Sequence, residues 1–368
     1  MRQVKVNGRI ARFGCALTLL LSALGHFALK LHHVGANYAH TSIVDRVRAS
    51  YTNADGADMT IPITSTYRDA SLSAEPSGFA FTKRRLFLCG YDVSSFVSKV
   101  FPEYERVSFN ALNASSANVG NILAIGMHAK CPGVEAFPGK VLYLNGESRA
   151  GKMVPGSYYL GPVEHPSERY KQFYYVTFAG AEMNVLDELL SKRRRDNGSR
   201  FLLYVQNHCV PYREEAFRIF SNIGRVSAGG RCHGDLTDYE QLARDGRSWD
   251  QTSKMFGEFK FGLVMENQHA TGYVTEKILN AFLGGTVPIY SGTTEVFNIF
   301  NERAFLFYDP RDPQTTVDKV RHLLSNSTAY QEVANEPIMN REQFDEYFSL
   351  DGDGKLKRDI RRFLQIQP

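Results

Sequence analysis

Short apolar runs bounded by glycine, proline or asparagine recur along most of the chain. They are RLFLCGY (85–91), NILAIGMH (121–128), KVLYLNGE (140–147), FLLYVQN (201–207), FKFGLVMEN (259–267) and TVPIY (286–290). Runs this short, apolar at successive positions, read as strands buried on both faces. Segments with helical spacing stand between them, at 92–101, 182–194, 212–223 and 275–283. In the second of these, Met183, Leu186, Leu189 and Leu190 would share one apolar face. Strands alternating with helices predict parallel sheets with helices on their faces. The charged break Lys192-RRRDNGSR divides the pattern into two α/β units. We see no internal repeat and no low-complexity tract.

The first 82 residues follow another pattern. Phe13–Leu29 is an apolar stretch with Arg2, Lys5, Arg9 and Arg12 before it and Lys30 after it. Its length is at the short limit for a spanning helix. The charge bias would hold the N-terminus in the cytosol and the remainder in the lumen. A signal-anchor is the expected reading, with a cleaved signal peptide and a buried helix as the competing ones. Residues 32–82, rich in Ser, Thr, Ala, Asp and Gly, read as a stem. The expected organisation is a cytosolic tail and anchor (1–31), a stem (32–82), an N-terminal α/β domain (83–195) and a C-terminal α/β domain (196–368).

Charge then narrows the function. The 368 residues carry a formal net charge of +4, with 43 Lys+Arg and 39 Asp+Glu. No acid precedes Asp45, and setting aside the five bases before it leaves 38 against 39. The basic excess therefore lies in the N-terminal segment, and the body lacks the electrostatic footprint of a duplex nucleic-acid binder. Secretory entry would give meaning to Asn113-Ala-Ser, Asn197-Gly-Ser and Asn326-Ser-Thr as glycosylation acceptors. Cys89, Cys131, Cys209 and Cys232 would then be luminal. Disulfides in any of three pairings, or buried free thiols, are open to them. No Cys/His spacing points to zinc, and no metal ligand set is expected.

The chemistry concentrates in residues 259–301. A strand ends in Glu266 and Asn267, a loop containing Gly272 follows, and Thr275 is placed to cap a helix whose first turn holds Glu276 and Lys277. Ile278, Leu279, Phe282 and Leu283 form the buried face of that helix. Gly284-Gly285 ends it, and a strand returns at 286–290. Ligands of such crossovers sit beyond the carboxyl ends of the strands. Anions are favoured at the helix N-terminus, where free N–H groups and the dipole converge. A carboxylate and an ammonium in that first turn suit a ribose diol and a phosphate. On spacing alone this is a generic nucleotide-site candidate, and Glu276 and Lys277 could equally form an ordinary solvated turn.

The same segment resembles the donor-binding motif of the α1,3-fucosyltransferase family. The resemblance rests on Phe259-Lys260-Phe261, Glu266-Asn267, Tyr273-Val274-Thr275-Glu276-Lys277, Ala281 and Val287-Pro288-Ile289, in order and spacing. Upstream, Asn207, Arg213 and Gly229-Gly230 fit further places of the family pattern, so the likeness covers about 201–310. It implies a GT-B-like fold, two facing Rossmann-like domains, with GDP-fucose on the C-terminal one. The implied activity is inverting transfer of L-fucose to a glycan hydroxyl, O3 of a GlcNAc, on a glycoprotein or glycolipid. By the same resemblance Arg213 and Lys277 neutralise the diphosphate and Glu276 binds the ribose. Tyr273 and Asn267 line the donor pocket, and Glu266 either contacts the fucose or supports the loop. Two cations would replace a divalent metal, so no cofactor is expected. The general base is expected at Glu147, in a Gly-Glu pair after a strand, with Glu135 and Glu164 as fallbacks. The family's Asn or Ser-Pro continuation is replaced here by Ser148-Arg149-Ala150. A type II protein of the Golgi membrane, held by its N-terminal anchor, is the implied location.

Other signals are weaker. Asp351-Gly352-Asp353 is a DxD triplet, a metal-binding pattern in other glycosyltransferases, but its place near the C-terminus reads as a turn between terminal helices. His269, in the donor loop, reads as solvent-facing, and Trp249 as a packing residue. Two alternatives to fucosyl transfer keep the scaffold: another nucleotide-sugar donor, or a catalytically silent nucleotide- or glycan-binding subunit.

Overall fold

A computed structural model describes residues 83–90, 94–191, 198–243 and 249–367. These fall within one compact unit, Phe79–Pro368. The predicted anchor and stem, the basic run at 192–195 and Asn197 lie outside the described residues. No helix among the described residues is long and apolar enough to cross a membrane.

The described strands form two six-stranded parallel sheets. The first holds β1 (Arg85–Cys89), β2 (Glu105–Ser108), β3 (Ile122–Ile125), β4 (Lys140–Leu144), β5 (Tyr158–Gly161) and β6 (Tyr170–Gln172), in the order β2-β1-β3-β4-β5-β6. The second holds β7 (Arg200–Tyr204), β8 (Val226–Ala228), β9 (Glu240–Gln241), β10 (Phe259–Met265), β11 (Val287–Ser291) and β12 (Leu306–Phe307), in the order β12-β11-β10-β7-β8-β9. All six apolar runs contain strands; five strands are shorter than their runs, and the sixth is shifted by one residue, to Val287–Ser291. In β10 every residue except Lys260 is buried, as continuous apolarity requires of a central strand. The chain order reverses between β7 and β10, so a crevice opens beyond their carboxyl ends.

Two elements differ from expectation. Over the described part of the helix predicted at 182–194, which ends at Ser191, no α-helix continues past Glu182. A helix spans Tyr175–Glu182 instead, Asn184 turns the backbone into the left-handed region (φ 55°), and a 3-10 turn follows at Leu186–Glu188. Asparagine enters that region at low cost. Leu186 and Leu189 are still buried, but a turn brings them there. The helix Lys355–Phe363, within the range expected for the C-terminal α/β domain, packs against the first block. Leu356, Ile360 and Leu364 share a core with Leu86, Phe96 and Val97. Buried Arg361 donates to Val100 O (3.0 Å) and Glu103 Oε1 (2.7 Å). Asp351 pairs with Lys99 at 2.9 Å and Asp353 with Arg358 at 3.0 Å, so the DxD is a turn held by cations. The four cysteines form Cys89–Cys131 and Cys209–Cys232.

Candidate active site

The crevice at the reversal point of the second sheet holds a cavity of about 300 Å³. Val205, Gln206, Asn207 and His208 reach it from the end of β7, Val264 and Asn267 from β10, and Arg213 from the helix Pro211–Ser221. Glu276, Lys277 and Asn280 come from the helix Glu276–Gly284, and Thr252 and Phe256 from the preceding helix.

Arg213 enters through sequence-local geometry. Pro211 occupies the first helical turn, where a missing N–H costs nothing, and directs the third residue back under the strand ends. Its side chain is 1% exposed. Nε donates to Glu266 O (2.9 Å), and Nη1 to Gln206 Oε1 and His208 O (both 3.1 Å). Nη2 is buried without a partner. A guanidinium fixed on three sides, with one donor unused beside a cavity, is built to meet an anion. Asn267 Oδ1 and Asn280 Oδ1, on two other residues that line the cavity, are likewise buried and unpartnered.

Glu266 ties the end of β10 to the start of the next helix. Its carboxylate is fully buried and accepts from Thr275 N–H (2.8 Å), Thr275 Oγ1 (2.8 Å) and Lys277 Nζ (3.2 Å). Thr275 is the N-cap residue by position, but its hydroxyl serves Glu266 and caps nothing. Lys277 Nζ also meets Thr275 Oγ1 at 2.8 Å and Glu276 at 3.5 Å. Burial disfavours its ammonium, yet Glu266 and Glu276 outweigh that and hold its pKa above the ordinary lysine value.

Tyr273 departs from its expected place, because it is buried and is not among the residues lining the cavity. Burial pushes its phenol up to about 12, and the charges of Lys277, Glu266, Glu276 and Glu147 act on it. The His269 ring lies against Tyr212 in a tilted arrangement (4.9 Å between centroids), and its Nε2 lies 3.2 Å from Ser291 Oγ. The residue is otherwise exposed, as read, although partial burial of the ring lowers its pKa.

Glu147 follows β4, in the first sheet. Its backbone N–H donates to Asn145 Oδ1 (3.0 Å), its carboxylate lies 3.1 Å from His128 Nε2, and about half its side chain is exposed. The next residue reaches the donor loop, with Ser148 Oγ donating to Gln268 Oε1 at 2.6 Å. Glu147 thus stands on the side of its sheet that faces the donor loop. Of the acceptor asparagines, Asn113 donates its amide to Ser108 O (2.9 Å), and Asn326 caps the helix Ser327–Asn335.

Gln206, His208, Thr252, Phe256 and Asn280 were not read as site residues. For Gln206 the signal was present, since polar residues end β7 as they end β10. Asn280 had none, because it sits among Ile278, Leu279, Ala281 and Phe282 on the apolar face. Among the described residues the one group with metal-type ligands is Cys209, Glu214 and Cys232, and its cysteines are joined in the disulfide.

Fold and site together define an α/β protein with a nucleotide-type anion cavity at a strand-order reversal. Residues 198–335 match the model of glycosyltransferase family 10 (fucosyltransferase), C-terminal part. The α1,3-fucosyltransferase FucT of Helicobacter pylori is 28% identical over 143 residues, 39% of this chain and 28% of that protein. The α1,3-fucosyltransferase B of Drosophila melanogaster is 24% identical over 164 residues, 43% of this chain and 35% of that protein. A protein of Acanthamoeba polyphaga mimivirus named as a fucosyltransferase is 28% identical over 145 residues, 38% of this chain and 24% of that protein. The chain thus spans about a quarter to a third of the curated relatives it matches. In fold it is similar to a crystal structure of an α1,3-fucosyltransferase, with a TM-score of 0.55 at 17% identity, covering 79% of this chain and 92% of that one. The same coverage of this chain and a TM-score of 0.51 hold for an α1,3-fucosyltransferase crystallised with GDP-fucose.

Proposed function

We propose that this protein transfers L-fucose from GDP-fucose to a glycan hydroxyl with inversion, O3 of a GlcNAc being the acceptor atom. The observation that carries the reading is the unused, buried Nη2 of Arg213 in a cavity flanked by a helix N-terminus. The family match over 198–335 supplies the sugar nucleotide. In the reaction the acceptor oxygen bonds to the anomeric carbon, the bond from that carbon to the phosphate oxygen breaks, and GDP departs. The acceptor proton passes to Glu147. Arg213 and Lys277 stabilise the charge that grows on the diphosphate, which removes the need for a divalent metal. Glu276 takes the ribose hydroxyls. The run at Phe13–Leu29 would anchor the protein in the Golgi membrane with these residues luminal, and two disulfides accord with an oxidising compartment.

The test is incubation of the full chain with GDP-fucose and a panel of GlcNAc-terminated and lactosamine acceptors, with and without EDTA. Transfer in both conditions is expected. Neither transfer nor GDP release would overturn the fucosyltransferase reading, and loss in EDTA alone would overturn the metal-free one. Glu147→Gln should lower kcat by roughly a hundredfold or more while GDP affinity holds. Unchanged turnover would remove Glu147 from the role of base.

A further inference from the structure

The cavity carries a second kind of vacancy besides the one on Arg213. Asn280 is 3% exposed and lies on the wall of the cavity, and its Oδ1 has no hydrogen-bond partner. A buried carbonyl left unpaired costs free energy unless a ligand donor meets it. Its neighbours on the cavity wall, Phe256 and Val264, are apolar and buried, so they offer that oxygen no donor. Glu276 stands one helical turn earlier on the same helix, and residues four apart share a face. A nucleoside whose ribose lies at Glu276 and whose phosphates lie at Arg213 has only its base left to place on the remaining wall.

We propose that Asn280 reads the base of the donor nucleotide, its Oδ1 accepting from the N1–H/N2–H₂ edge of guanine. Guanine is the base that suits this acceptor, because two adjacent donors lie on that edge. Adenine presents its N1 lone pair there, and an acceptor would face an acceptor. Asn280 is thus a specificity-determining residue, and the inference rests on the GDP-fucose reading.

The experiment measures GDP and ADP affinity of the full chain by calorimetry, for the wild type and for Asn280→Leu, which keeps the volume and removes the acceptor. In the wild type GDP should bind at least tenfold more tightly than ADP. In Asn280→Leu that ratio should fall at least fivefold, mainly through weaker GDP binding. Asn280→Ala provides the same ratio if the leucine variant does not fold. A ratio unchanged in the variant, including an equal loss for both nucleotides, overturns the role of Asn280 and leaves the GDP-fucose reading standing. Absence of GDP binding in the wild type overturns both.

Discussion

Arg213 and Lys277 would be equivalent if only their charges were counted, and their surroundings separate them. Lys277 lies between Glu266 and Glu276, so much of its charge is already balanced at home. Arg213 meets neutral acceptors and keeps Nη2, with its two N–H groups, unused. The diphosphate should therefore depend more on Arg213. Arg213→Lys keeps a cation but loses the planar fork, and GDP affinity should fall by about tenfold or more, the worth of one charge-assisted hydrogen bond. Lys277→Ala should cost less, about threefold to tenfold, and should also loosen the donor loop by leaving Glu266 buried with one partner fewer. Calorimetry with GDP on both variants decides the order. A larger loss for Lys277→Ala would reverse this assignment.

At the scale of elements, the terminal helix Lys355–Phe363 is fixed to the first sheet's side of the molecule by the buried Leu356, Ile360 and Leu364 and by Arg361. Burial tends to raise the pKa of its partner Glu103, but the hydrogen bond and charge of Arg361 win, and the net shift is downward. A carboxyl with a lowered folded pKa contributes stability that is present above its unfolded pKa and fades as pH falls through the folded one. Glu103→Gln should thus lower Tm at pH 7, by roughly 1–3 °C for a partly exposed pair worth at most about 1 kcal/mol. Near pH 3.5 the difference should shrink. A Tm gap as large at pH 3.5 as at pH 7 would count against the pair. This helix also marks where reading from sequence stops. Apolar runs gave every predicted strand, because a run buried on both faces is a local property. Which sheet a distant amphipathic helix covers is a long-range choice, and its spacing is silent on it. The cysteine pairing was illegible for the same reason. Over 182–194 the apolar spacing was right about burial and wrong about backbone, since one left-handed asparagine redirected the chain. Within the site, Glu276 and Lys277 were legible from their place at a helix start. The buried partners of Glu266 were not legible, and Asn280 was hidden by the apolar residues around it.

For the whole molecule, the proposed transfer would need Glu147 on the first sheet and the anion cavity on the second to act on one pair of substrates. The donor loop bridges them. Gln268 meets Ser148, Val274 O accepts from Val176 N–H (3.0 Å), and Gly272 N–H donates to Glu295, whose carboxylate also accepts from Tyr174 OH at 3.3 Å. Gly272 is the tightest of these joints. Its φ of 81° favours glycine, and a Cβ built on it would stand 1.6 Å from Pro162 O, in the loop after β5. Gly272→Ala must therefore move the loop away from the first sheet's side. The cavity residues Arg213, Asn207 and Gln206 stand on other elements, so GDP affinity should stay within about threefold. Alignment of Glu147 with the acceptor hydroxyl, and of that hydroxyl with the anomeric carbon, should suffer, and a misplacement of about 1 Å can cost a hundredfold in rate. We expect kcat to fall at least tenfold in Gly272→Ala with Tm lowered only slightly. If kcat holds while Tm drops, the contact is packing, and the two sheets' contributions to transfer are aligned by something other than this loop.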